Sequence, residues 1–195
     1  MSYVSVIIPT LLNNLLILEK LIDILIMDEK VSEIILINNS QKEYFSSKPK
    51  IKVINPRKNL YVNKSWNLGI EEAKEEYFAL FNDDLLVCQN FCSKCLSLIE
   101  KKTNFGVLGM DVSSVENKKD IEIPEDTFFY LEPSENIRNR NWGVIIIGRK
   151  SIYKEIPNKI KIWCGDDYIR YTAKQSNLKI YNLKGAKISH LGSNS

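Results

Sequence analysis

The chain has 195 residues, 44% hydrophobic and 26% charged, which is enough for one sizeable core and too few for two independent ones. Its net charge of +3 is unevenly spread: from Arg138 onward 12 Lys or Arg stand against three acids, Glu155, Asp166 and Asp167. A basic last third favours an anionic partner, such as a nucleotide phosphate, an acidic lipid surface or a nucleic acid, or it is a solvated face with no partner.

The apolar stretch from Leu11 to Met27 is interrupted by Asn13, Asn14, Glu19, Lys20 and Asp23, so it reads as a buried helix and not a membrane span. Four cysteines without a signal peptide indicate a reducing compartment. The expectation is a cytoplasmic protein, or one peripheral at a membrane surface.

Tyr3 to Pro9 is β-branched and apolar and reads as a first central strand closed by Pro9. Asn13 and Asn14 then cap a helix to Met27. Val31 to Asn38 is a second buried strand that ends in the polar series Asn38, Asn39, Ser40. Ile51 to Asn55 is a short third strand stopped by Pro56. The segment Asn59 to Gly69 leads into a helix; Asn63, Lys64 and Asn67 fall near its first turns, a place suited to phosphate.

Tyr77 to Phe81 is the central strand, five apolar residues that end abruptly in Asn82, Asp83 and Asp84. Binding sites of open α/β sheets lie where strands end. Adjacent carboxylates repel unless a cation sits beside them, and a hard divalent ion is the usual partner. Read alone, the run fits a solvated Asx turn after a strand, where Asn and Asp are favoured anyway. Asn90 to Lys102 is a helix and Val107 to Val112 a strand, while Ser113 to Asp126 lacks a period and reads as an exposed excursion or weak hairpin. Asn141 to Gly148 is a strand whose Gly143 permits close approach of a ligand to backbone. Ser151 caps a short helix ending at Pro157. Gly165, Asp166 and Asp167 cap a helix to about Ser176, and a last strand or tail runs from Lys179 to Ser189, ahead of His190.

The ordered series Pro9-Thr10, Asn38-Asn39-Ser40, the Asn59 loop and helix, Asn82-Asp83-Asp84, Gly143, Gly165-Asp166-Asp167 and His190 resembles the family-2 type of GT-A glycosyltransferases. The resemblance spans Val4 to His190. It implies an α/β fold: a Rossmann-like mixed, mainly parallel sheet flanked by helices in a single domain. Residues 1–112 would form the nucleotide-binding part and 113–195 the acceptor-binding part. It also implies a nucleotide-diphosphate sugar donor, a UDP- or GDP-sugar, with Mn²⁺ or Mg²⁺.

By the same resemblance, Asp84 is the carboxylate on the metal and His190 completes the metal and diphosphate site. Asn82 or Asp83 faces the ribose or donor sugar, and Pro9, Thr10 and Asn38 line the nucleoside. Asn39, Asn59, Lys64, Asn67 and Gly143 are the further donor-binding candidates. Asp166-Asp167 matches the Glu-Asp pair before the acceptor helix, whose second carboxylate is the general base of inverting members. The acceptor is open: glycan, lipid, protein or modified nucleic acid. Asn38 and Asn82 stand where the family usually has Asp, Leu11-Leu12 replaces commoner polar residues, and Tyr61 holds a place often taken by Gly. Trp142 and Trp163 are either core aromatics or flat faces for a sugar ring.

Three other classes compete. Cys88, Cys92 and Cys95 have the spacing of cluster ligands in radical S-adenosylmethionine enzymes, but the same residues fall on the apolar side of a helix, where small buried side chains explain them better. A non-catalytic nucleotide- or sugar-binding module would keep the fold without needing a base. A nucleic-acid-binding domain finds no recognisable motif in the basic last third.

Overall fold

The structure, a computed structural model, describes residues 2–134 and 142–191. In chain order the strands are β1 (Val4–Thr10), β2 (Val31–Asn38), β3 (Ile51–Ile54), β4 (Tyr77–Phe81), β5 (Leu85–Val87), β6 (Phe105–Met110), β7 (Val115–Lys118), β8 (Tyr130–Pro133), β9 (Ile145–Arg149), β10 (Lys179–Lys184) and β11 (Ile188–Leu191). The helices are α1 (Leu15–Met27), α2 (Tyr61–Glu72), α3 (Phe91–Ile99) and α4 (Gly165–Gln175). Asn141, with which the sequence-based strand began, lies outside the described residues.

Eight strands form one sheet in the order β3-β2-β1-β4-β9-β6-β10-β8, and β5-β11-β7 form a second, smaller one. The first four positions are parallel, as the strand-helix-strand alternation predicts. β9 then enters antiparallel between β4 and β6, which makes the sheet mixed. Strands from both halves of the chain share this sheet.

Side-chain alternation divides the core between the two faces. Val4, Val6 and Ile8 of β1 pack on one side with Leu18, Leu21, Ile22 and Leu25 of α1 and with Cys92, Cys95 and Leu96 of α3. Ile7 faces the other side with Trp66 and Ile70 of α2 and Ile169 and Ala173 of α4. Each such aliphatic chain contributes on the order of 1.5–3 kcal/mol by leaving water. All five residues of β4 are buried, so the strand that carries the acids is held on both faces.

Several local expectations are corrected. β5 and β8 have no counterpart in the sequence reading: β5 is three residues long, and β8 lies in aperiodic sequence and is recruited by β10. The expected strand from Asn141 starts later, at Ile145, after a 3-10 turn at Trp142–Val144. The helix expected after Ser151 is only a 3-10 turn at Lys150–Ile152. Asn14 stands at the N-cap of α1 but its side chain makes no capping bond. The final segment is two strands, broken at Gly185, whose φ of 77° is the left-handed region.

The cysteine-cluster reading is overturned. Cys88, Cys92 and Cys95 are free and buried, and burial pushes their thiols up in pKa. The three pack into the core with α1 and the sheet, and among the described residues no three His, Cys, Asp or Glu side chains are grouped to hold a metal.

Gly109 of β6 lies flat against the Trp142 indole, which a Cβ would overlap. Trp142 is fully buried and donates through Nε1 to Asn182 Oδ1 at 3.1 Å, so it has no free direction in which to move. Gly109→Ala is expected to destabilise the fold by about 1–3 kcal/mol, read as a lower midpoint in denaturant unfolding.

Candidate active site

The carboxyl ends of β1, β2 and β4 open into a cleft of about 800 Å³ lined by Pro9, Thr10, Asn39, Asn59, Asp83 and Asp84. These six are among the candidates drawn from the sequence. The cleft also takes in Leu11, Asn13, Asn14, Tyr61, Ile162 and Lys119. Asn13 and Asn14, read as helix caps, sit on the loop that leaves β1 and obey the strand-end rule that singled out the others. Lys119 follows β7 and reaches the cleft only because β7 pairs with β11, a long-range contact with no local signature.

Asp83 and Asp84 are held in different ways. The Thr10 hydroxyl donates to Asp83 Oδ2 at 2.5 Å and accepts the Leu12 amide at 2.8 Å. Burial raises the pKa of Asp83, the Thr10 bond opposes that shift, and the Asp84 charge adds to it. Asp84 instead faces β11. Its backbone oxygen accepts the Leu191 amide at 2.8 Å, and its Oδ1 lies 3.2 Å from His190 Nε2.

That last contact is close without being a hydrogen bond, for both Asp84 Oδ1 and His190 Nε2 are buried and have no hydrogen-bond partner. His190 Nδ1 lies 2.8 Å from the amide oxygen of Asn117; an amide oxygen accepts, so Nδ1 carries a proton, and in the neutral imidazole Nε2 presents its lone pair to the carboxylate. In that form the two electron-rich atoms are placed to hold a cation between them. Adjacent ligands on an octahedral ion with bonds of about 2.1 Å lie about 3 Å apart, so this pair fits a divalent metal. Among the described residues no three His, Cys, Asp or Glu side chains converge on one point.

Other candidates are placed away from the cleft. Asn38 is buried and saturated: it donates to Lys42 O at 2.6 Å and Asn55 Oδ1 at 2.7 Å, and accepts the Ser40 amide at 3.0 Å. Its neighbour Asn39 accepts the Leu60 amide at 3.0 Å and donates to Ser65 Oγ at 2.9 Å, which ties β2 to the start of α2. Asn67 clamps residue 156 through its backbone amide and oxygen and also accepts from Tyr153. Lys64 is exposed and lines a separate pocket of about 240 Å³. Asn82 is fixed by its amide bond to Val144 O at 3.0 Å and does not line the cleft.

Asp166 and Asp167 occupy the first turn of α4. The helix start is set by Cys164 at φ 64° and by Gly165, where a side chain would overlap Asn63. Gly143 backs Asp166, since a Cβ on Gly143 would lie 3.0 Å from Asp166 Oδ2. Because Val144 also receives the Asn82 amide, the turn at 142–144 joins the end of β4 to these acids. Burial raises the pKa of Asp166, against the lowering effect of its bond from the Asp167 amide. Arg170, one helical turn on, lies 4.6 Å over the Trp142 ring, and the charges of Asp167 and Asp166 favour its charged form against burial. Trp142 is thus a core residue, whereas Trp163 is 82% exposed.

A comparison with curated proteins finds no match. Solved structures of S. aureus TarS 1-349 share the fold. The form without ligand has 18% identity and a TM-score of 0.69, covering 97% of this chain and 60% of that one. The complex with UDP has 17% identity and a TM-score of 0.70, covering 98% and 61%. The complex with UDP-GlcNAc has 16% identity and a TM-score of 0.70, covering 99% and 59%. The chain thus spans about three-fifths of those structures. The family model for Glycosyl transferase family 2 matches residues 5–159, most of the sheet and the acid-bearing strand included, and the chain belongs to that family.

Proposed function

We propose that this domain transfers a sugar from a nucleotide-diphosphate donor to a hydroxyl group of an acceptor, with inversion at the anomeric carbon and with Mn²⁺ or Mg²⁺ held by Asp84 and His190. The observation that carries the reading is the unbonded approach of Asp84 Oδ1 and His190 Nε2, 3.2 Å apart, behind a cleft that Asp84 itself lines. A divalent ion there would offset the charge that develops on the departing diphosphate. UDP-sugars are the first donors to test, ahead of GDP-sugars, because the fold is shared with TarS, which has been crystallised with UDP and with UDP-GlcNAc.

Pro9, Asn39 and Asn59 wall the nucleoside side of the cleft. Thr10 keeps Asp83 turned toward the ribose or donor sugar through its hydroxyl. Asn38 acts indirectly by fixing residues 38–42 against the end of β3. Asp167 takes the proton from the acceptor hydroxyl as its oxygen bonds to the anomeric carbon and the sugar–phosphate bond breaks. Asp166, set against Gly143, positions the helix turn that carries the base. The acceptor-binding part is assigned to residues 113–195.

Thermal unfolding with UDP, GDP and CMP, each with and without Mn²⁺, tests donor and metal together. A metal-dependent rise in melting temperature with UDP is expected in the native chain and is lost in Asp84→Ala. Absence of any response to a nucleoside diphosphate would overturn the reading. Asp167→Asn is expected to keep the UDP response and lose transfer by about 10²–10⁴-fold. Full transfer in that variant would remove Asp167 as base, and no transfer by the native chain with any donor would favour a binding module.

Asp166 gives an independent pH test. Its pKa is raised in the folded state from the ordinary 3.8, so above 3.8 the folded state holds a proton that the unfolded state has lost. Stability therefore falls as pH rises from 3.8 through the folded value. Asp166→Asn is expected to unfold at a higher temperature than the native chain at neutral pH, with the gap closing in acid.

A further inference from the structure

Beside the main cleft lies the second pocket, of about 240 Å³, and Asn59 and Tyr61 line both. Lys58, Lys64 and Lys161 converge on it from three stretches: the loop before α2, the first turns of α2, and the loop before α4. No acid lines the pocket, and among the described residues none of the three lysines has a carboxylate partner within salt-bridge distance. Their charge is therefore not offset within the pocket, unlike that of Lys48 between Glu19 and Asp23 or Lys184 between Asp111 and Glu132.

The pocket is fixed in place by the protein. The Asn63 amide donates to Lys161 O at 3.2 Å, and the Asn63 side chain donates to Ile160 O at 3.0 Å. The Lys161 ammonium lies 5.3 Å over the Tyr61 ring, an arrangement that keeps the charge beside the wall shared with the main cleft. Three lysines lining one small hollow with no acid beside them suit it to an anion.

We propose that Lys58, Lys64 and Lys161 form an anion subsite, separate from the donor diphosphate site, which takes a phosphate group of the acceptor. The word acceptor rests on the transferase reading above; anion binding by the pocket does not. Contact through Tyr61 would place such a phosphate next to the cleft, so that a neighbouring hydroxyl of the same molecule could enter it. A phosphate in this position can belong to a phosphodiester polymer or to a lipid headgroup.

Binding of inorganic phosphate, followed by calorimetry on the full chain without donor, separates the subsite from the transfer reaction. Native protein is expected to bind phosphate without competition from UDP, and Lys58→Gln/Lys161→Gln to bind it at least about tenfold more weakly, while Lys161→Arg retains binding. Equal phosphate affinity in the native protein and the double variant, or displacement of phosphate by UDP, would overturn the proposal. UDP binding by the double variant, with an unchanged melting temperature without ligand, would show that its fold and donor cleft are intact. A glycerol phosphate oligomer and phosphatidylglycerol vesicles then identify the source: the one whose binding depends on Lys58 and Lys161 carries the phosphate. Dependence of neither on these lysines would count against an acceptor role, whatever the result with UDP.

Discussion

Asp83 and Asp84 are adjacent carboxylates at the end of a strand that is buried throughout, and their mutual repulsion is the constraint that the surrounding fold has to meet. It does so by turning each acid toward a different element. Asp83 is bonded by Thr10 at the end of β1, the parallel neighbour of β4. Asp84 faces His190 on β11, which belongs to the smaller sheet. The large sheet therefore orients one acid and the small sheet the other. Separation by β11 leaves Asp84 Oδ1 without a donor, a costly state for a buried oxygen unless a cation completes it.

This division accounts for what the sequence does and does not reveal. β1, β2 and β4 are continuous apolar runs with polar ends, because central strands of a covered sheet are buried on both faces and their carboxyl ends form the site. Their polar ends point to Asn39, Asp83 and Asp84, whereas Pro9 and Thr10 are located by the resemblance. β5 and β7 are short and are stabilised by β11, so no local run marks them. The environment of His190 and the place of Lys119 depend on that pairing. The resemblance located His190, and only the three-stranded sheet supplies its partner Asn117.

Parity and direction, which composition does not encode, explain the other displaced candidates. Asn38 and Asn39 are equally polar neighbours, yet Asn38 bonds back to residues 40–55 while Asn39 lines the cleft. On α2, Asn63, Lys64 and Asn67 all lie in the first two turns, and 100° of rotation per residue sends them different ways. Asn63 fixes the loop ahead of α4, Asn67 holds residue 156, and Lys64 reaches the basic pocket. Membership of the right helix turn does not decide which cavity a side chain serves.

The loops that reach the cleft use backbone geometry of a kind usually marked by glycine, but without glycine. Leu12, Tyr61 and Cys164 have φ of 61°, 61° and 64°, each shortly before or at the start of a helix. Such residues cost about 1–3 kcal/mol each, and for two of them the same device offsets the strain. The Leu12 amide is bonded by Thr10 Oγ1 at 2.8 Å, and the Tyr61 amide by Asn59 Oδ1 at 2.7 Å, in each case a side chain two residues back closing a local turn. At Thr10 this has a second effect. Once its oxygen accepts the Leu12 amide, the remaining proton can donate only elsewhere, and it points to Asp83. The left-handed turn after β1 and the orientation of an acid at the end of β4 are thus one hydrogen-bonded unit, in which a strained loop residue helps to set the charge distribution of the cleft.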